Sequence, residues 1–84
     1  MTPEEFVTTL RRHQRFTSGN GGARADLSHQ DLSELRLPNI DLQRANLAGA
    51  DFSGCVLTGV NFTRADMFGA NFNGSDSSGA NFEE

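Results

Sequence analysis

The chain has 84 residues, which allow one small domain and no more. Only 36% of them are hydrophobic, and Leu, Ile, Val and Phe together number 19, near the level at which burial fails to offset chain entropy. The net charge is −4 and every basic residue is Arg, which disfavours a general nucleic-acid surface.

Residues 2–18 read as a helix. Thr2 suits the cap, Pro3 the first helical position and Glu5 the capping-box position. Phe6, Val7, Leu10 and His13 fall on one stripe, with Glu4, Thr8, Arg11, Arg12 and Arg15 opposite. Acids stand in the first turn and arginines in the last, as the helix dipole favours. Gly19-Asn20-Gly21-Gly22 then ends it. Residues 1–22 therefore form a helix and glycine-rich linker, and residues 23–84 a second zone.

In that zone the chain repeats every five residues. The last residues of successive blocks are Leu27, Leu32, Leu37, Leu42, Leu47, Phe52, Leu57, Phe62, Met67, Phe72, Ser77 and Phe82. Eleven of these twelve are large and apolar, which fixes the register. Two places earlier Ala fills six of the twelve positions, with Leu35, Ile40, Cys55 and Val60 at four others. One place earlier Asp or Asn fills ten.

A period of five fits neither regular element. Five steps along an α-helix advance roughly 140° past a full turn, so the apolar residues would find no common face. In a strand an odd period sends them to alternate faces. The chain must turn once per block, with the large residue and the small one two places before it both inward and the Asp or Asn between them outward. Sides of this kind build a core only by coiling and stacking, about 4.8 Å apart.

The run from Ala25-Asp26-Leu27 to Ala80-Asn81-Phe82 resembles the pentapeptide-repeat family, whose motif is A-(D/N)-L/F-x-x. The segment from Leu10-Arg11-Arg12-His13 to Asp26-Leu27 is similar to the capping leader of many of its members. The resemblance implies an all-β solenoid, a right-handed quadrilateral β-helix with four blocks per coil and so about three coils, under an N-terminal capping α-helix. Residues twenty apart then share a column. The inward columns become Leu27/Leu47/Met67, Leu32/Phe52/Phe72, Leu37/Leu57/Ser77 and Leu42/Phe62/Phe82. Phe6, Val7 and Leu10 would lie against the first coil. Two columns should stack aromatic rings. The companion columns, Leu35/Cys55/Ser75 among them, take small side chains because the bore is narrow. Cys55 is then core, and burial makes a thiol inert.

The recurring acids invite a catalytic or metal reading. They occupy the same block position on every side, however, where short polar groups bond nearby backbone amides at turns. No catalytic, cofactor or metal residue emerges. Two His and one Cys are too scattered to hold a metal, and one Cys makes no internal disulfide. No apolar run approaches a membrane span, and the start lacks a secretory pattern. A cytoplasmic protein without cofactor, membrane contact or direct nucleic-acid binding is the expectation.

Departures from the repeat supply the candidate contacts. Arg36 and Val56 are the two breaks in the Asp/Asn position and share one column, with Val56 expected to be exposed. Arg24, Arg44 and Arg64, spaced by twenty, should stack along one corner as a ridge able to bind an acidic group or phosphate, with Asp26 and Asp66 neutralising part of it. Phe68 stands outward where Ser28 and Ala48 stand in the coils above. Met67, Phe72 and Phe82 would face water at the C-terminal end, where another subunit or a further stretch of a longer chain would cover them. These features point to a non-catalytic protein-interaction or scaffold module, with a homodimer through the last coil. The resemblance adds a DNA-mimicking binder of a type II topoisomerase as an alternative. An N-terminal sensor or targeting module of a longer protein is another.

Overall fold

A computed structural model describes residues 1–83. Helix α1 runs Pro3–Thr17. Its start is a complete capping box: the Glu5 N–H donates to the Thr2 hydroxyl at 3.1 Å, and the Thr2 N–H donates to the Glu5 carboxylate at 2.8 Å. The Thr2 N–H, and after it the Thr2 hydroxyl, hold the Glu5 carboxyl below its ordinary pKa, because hydrogen bonds to the carboxylate favour the charged form. Past Ser18 the chain reverses through Gly19, Gly21 and Gly22, all at positive φ, and the Ala23 N–H returns to the Arg12 carbonyl at 3.1 Å.

From Asp26 onward the chain winds into a β-helix solenoid. Each five-residue side contributes one bridge residue, paired in parallel with the residue twenty later. Asp26 pairs with Asn46 and Asn46 with Asp66; Asp41 pairs with Asn61 and Asn61 with Asn81. The sides are too short to form extended strands. Their pairing is nonetheless continuous from layer to layer: the Leu27 N–H donates to the Asn46 carbonyl at 2.8 Å, and the Asn46 N–H to the Ala25 carbonyl at 2.9 Å. We refer to residues 26–45, 46–65 and 66–83 as successive layers.

At the bridge position all ten Asp and Asn side chains accept a hydrogen bond from the backbone N–H two residues on, from Asp26 to Ser28 through Asn81 to Glu83. The short acid or amide thus ties down the turn that follows it. At Asp26, Asp31 and Asp76 the serine hydroxyl adds a second bond, and the pair of bonds depresses the carboxyl pKa.

The corners follow a rule that hydrophobic periodicity did not reveal. The second residue of each block adopts a left-handed conformation, from His29 (φ 58) to Gly79 (φ 71). A carbonyl-to-amide bond such as Leu42 to Ala45, 3.1 Å, closes the turn around it. This is the place where a type II turn needs positive φ, and it explains the glycines spaced by five. Space adds a second reason. A β-carbon on Gly59 would lie 2.2 Å from the Asn39 side-chain oxygen in the layer above.

The bore contains the expected core. Leu27, Leu32, Leu37, Leu42, Leu47, Phe52, Leu57 and Phe62 are all buried, with Ala25, Ala45, Ala50, Cys55 and Val60 among them. Phe52 stacks on Phe72 at 5.3 Å and Phe62 on Phe82 at 4.9 Å, and the two columns meet edge to face. Three expectations are corrected. Val7 is 46% exposed rather than packed on the first layer, because the contact edge of α1 runs through Phe6, Leu10 and His13. Leu35, expected to point inward, is 37% exposed beside Met1, Pro3 and Val7, where the helix leaves a groove above it. Met67 and Phe72 are half-buried rather than open to water, since the layer above covers one face of each.

His13 is the joint between helix and solenoid. It is fully buried, its Nδ1 accepts the Ala25 N–H at 2.9 Å, and its ring lies 5.9 Å from that of Phe16. Nδ1 as acceptor places the proton of the neutral ring on Nε2, which has no hydrogen-bond partner. Burial is the largest influence on its pKa and lowers it. The Gln43 backbone and Asp41 oppose that shift in part, and Arg44 and Arg24 reinforce it. A pKa depressed in the folded state means that the unfolded chain binds the proton first as pH falls. Stability should therefore be full above the ordinary imidazole value, about 6.5, and decline below it. Urea unfolding of the parent at pH 8 and at pH 5 should show this loss, and His13→Leu should abolish the difference between the two. The depressed carboxyls act only at lower pH, so they do not obscure that window.

Candidate functional site

The four bridge columns place the candidate residues on two opposed faces. Side one carries Asp26, Asn46 and Asp66, with Arg24, Arg44 and Arg64 at its leading corner and Phe68 at its trailing corner. Side three carries Arg36, Val56 and Asp76. Arg36 and Val56 are neighbours as expected, but they are separated from the arginine column and from Phe68 by an intervening side.

Arg36 is exposed. Val56 is half-buried, not exposed, because the bridges to Arg36 above and Asp76 below close over its flanks. Phe68 is 85% exposed, and its backbone is fixed by the Gly49 N–H, which donates to its carbonyl at 2.8 Å. The ring therefore projects from a main chain tied into the layer pairing.

Arg24, Arg44 and Arg64 are exposed and share one corner. The Arg24 Nε donates to the Arg44 carbonyl, and the Arg44 guanidinium stands 5.2 Å from the centre of the Phe16 ring. Neutralisation of Arg24 by Asp26 is slight. The Asp26 carboxylate is held chiefly by the Ser28 hydroxyl and N–H, and Arg24 contributes less than either. Sequence reasoning found this column but not its packing against α1. The signal was Phe16, one turn beyond the apolar stripe.

The last layer leaves apolar side chains partly uncovered. Phe82 is 43% exposed, and Met67, Phe72, Ala70 and Ala80 are half-buried. Their counterparts one layer up, Leu47, Phe52, Ala50 and Val60, are sealed. Ser75 and Ser77 lie in the same layer, and the Ser75 hydroxyl donates to the Phe72 carbonyl at 2.8 Å.

Chemistry elsewhere is sparse. Cys55 is buried with Sγ 2.9 Å from the Leu32 carbonyl, and burial raises its pKa, so the thiolate is disfavoured. Among the described residues no group of three His, Cys, Asp or Glu gathers where it could hold a metal ion. No described helix is long and apolar enough to cross a membrane.

No curated protein matches the chain significantly. The family profile for pentapeptide repeats does match, in eight copies over residues 23–59 and 61–84. That span holds every bridge and every Asp/Asn turn, and on it the chain belongs to the pentapeptide-repeat family.

Proposed function

We propose that the protein is a non-catalytic protein-interaction module, built on a right-handed quadrilateral β-helix of three coils, and that it forms a homodimer through the last coil. The observation that carries this reading is the concentration of exposed aromatic surface in residues 66–83. Phe68 and Phe82 both lie there, at 85% and 43% exposure, beside half-buried Met67 and Phe72. Exposed rings on a rigid frame serve as interface anchors. An isologous contact would cover Met67, Phe72 and Phe82 of both copies. Ser75 and Ser77 suit a contact that is partly polar. Arg36 and Val56, on the far face, would remain free for a different protein. The arginine column interrupts the acidic surface that mimicry of DNA would require, so the topoisomerase reading gains no support.

Sedimentation velocity at tens of micromolar tests the dimer. The parent should sediment as a dimer and Phe82→Glu as a monomer with the upper layers intact by circular dichroism. A monomeric parent would remove the homodimer and leave Phe68 and Phe82 to a heterologous partner or to further coils of a longer chain.

A further inference from the structure

The corner positions carry an anomaly. Eleven of them run from His29 to Gly79 at intervals of five, all at positive φ; six are Gly. His29, Glu34 and Asn39 each give way to Gly in the layer below, and only the corner of Arg44 (φ 62) and Arg64 (φ 58) keeps a side chain in both layers. A β-carbon is disfavoured in that conformation, and a strained residue kept where glycine serves elsewhere points to a task for its side chain. Arg24 continues the same column upward.

The side chains are also arranged in an unusual way. Arg24 is fixed by a backbone carbonyl and Arg44 by an aromatic face, neither of which cancels a positive charge. The nearest acids along the chain are Asp26 to Arg24 and Asp41 to Arg44; one Asp26 oxygen is committed to Ser28, and both Asp41 oxygens to Gln43. The Arg24 bond uses Nε, and the Arg44 guanidinium carbon lies over the Phe16 ring, which leaves the terminal N–H groups of both to an oxyanion.

We propose that Arg24 and Arg44, with Arg64 one layer below, form a binding site for a phosphate dianion. Two adjacent guanidiniums call for a ligand of charge −2 with three or more oxygens. A carboxylate, with two oxygens, is satisfied by a single guanidinium fork. Asp26 and Asp66 border the column and the protein is acidic overall, so a compact anion suits the site and a long polyanion would be repelled. The site is independent of the dimer, whose contact surface is the far end of the last layer.

Nuclear magnetic resonance titration at constant ionic strength tests it, following the arginine Nε–H signals. Probes are inorganic phosphate and phenyl phosphate, with acetate as the carboxylate comparison. Saturable shifts at Arg24 and Arg44 with either phosphate are expected, and weaker ones with acetate. Tighter binding of phenyl phosphate would assign an esterified ligand, and tighter binding of the inorganic ion a free one. Arg44→Gly should weaken binding by at least roughly tenfold, or 1.4 kcal/mol. Because glycine relieves the left-handed backbone, that variant should keep its melting temperature close to that of the parent, which a purely structural arginine would not allow. Arg24→Gln is the second variant, should Arg44→Gly fold poorly, and should weaken binding similarly. The absence of saturable shifts in the parent, equal binding of acetate, or unchanged affinity in a folded variant would each overturn the site.

Discussion

Phe62→Ala is expected to destabilise the protein by roughly 3–5 kcal/mol, the range for truncating a fully buried ring. Phe62 is sealed in the middle layer, with Phe82 stacked 4.9 Å beneath it and Phe52 and Phe72 meeting it edge-on at 6.3 and 5.8 Å. Its removal opens a cavity and also breaks the contact between the two aromatic columns. A domain of this size commands on the order of 5–15 kcal/mol in total, so the variant should melt near ambient temperature or fail to fold. The opposite error should also be costly. Ala50 is fully buried, and Ala50→Leu should lose about 1–3 kcal/mol by overpacking the bore. Ser53→Ala is the control. The Ser53 N–H, not its hydroxyl, holds the Asp51 carboxylate, so the loss should be small. Denaturant melts that left Ala50→Leu unchanged would show that alanine is not the inward residue of its block.

The bore was legible because three independent signals agreed at one register. Large apolar residues, small residues and Asp/Asn each recurred at five, so a slip of one would have contradicted all three. The fully buried set from Leu27 to Phe62 follows from that agreement. What escaped was decided by tertiary placement. Periodicity gave α1 a stripe of Phe6, Val7, Leu10 and His13, but the angle at which the helix meets the first layer chose which edge of the stripe is covered, and Val7 fell outside it. Leu35 and Cys55 hold equivalent positions, yet Cys55 has a full layer above it and Leu35 has only the end of α1. The arginine column was readable from spacing. Its strain became meaningful only once the corner was seen to be left-handed, and the glycines at 49, 54, 59, 69, 74 and 79 were the sequence signal for that geometry.

Gly22→Ala should be as damaging as the loss of Phe62, at roughly 2–5 kcal/mol, although the change adds a single methyl group at the surface. Gly22 sits at φ +73, and a β-carbon there would lie 2.2 Å from the Arg12 carbonyl oxygen, 2.8 Å from the Arg15 β-carbon and 3.0 Å from the Phe16 nitrogen. Two of these atoms belong to the helix backbone and cannot rotate away. The same carbonyl accepts the Ala23 N–H, and two residues later Ala25 donates to His13, so the clash falls where the chain crosses from α1 to the first bridge at Asp26. The helix must lift from the first layer or the crossing must unravel. Either outcome uncovers Leu27, Leu32 and Leu42, which α1 shields now, and presents the upper backbone edge to other chains. Gly19→Ala supplies the comparison. It also has positive φ, but nothing lies within 4 Å of its β-carbon, so it should lose only the backbone term of about 1–2 kcal/mol. Thermal melts with light scattering separate the two cases. Gly22→Ala should aggregate on warming and lose the pH dependence that His13 confers, because a displaced helix no longer buries the imidazole. Gly19→Ala should retain both its solubility and that pH dependence. Equal melts for the two glycine variants would mean that close packing of α1 at this crossing contributes nothing to holding the cap in place.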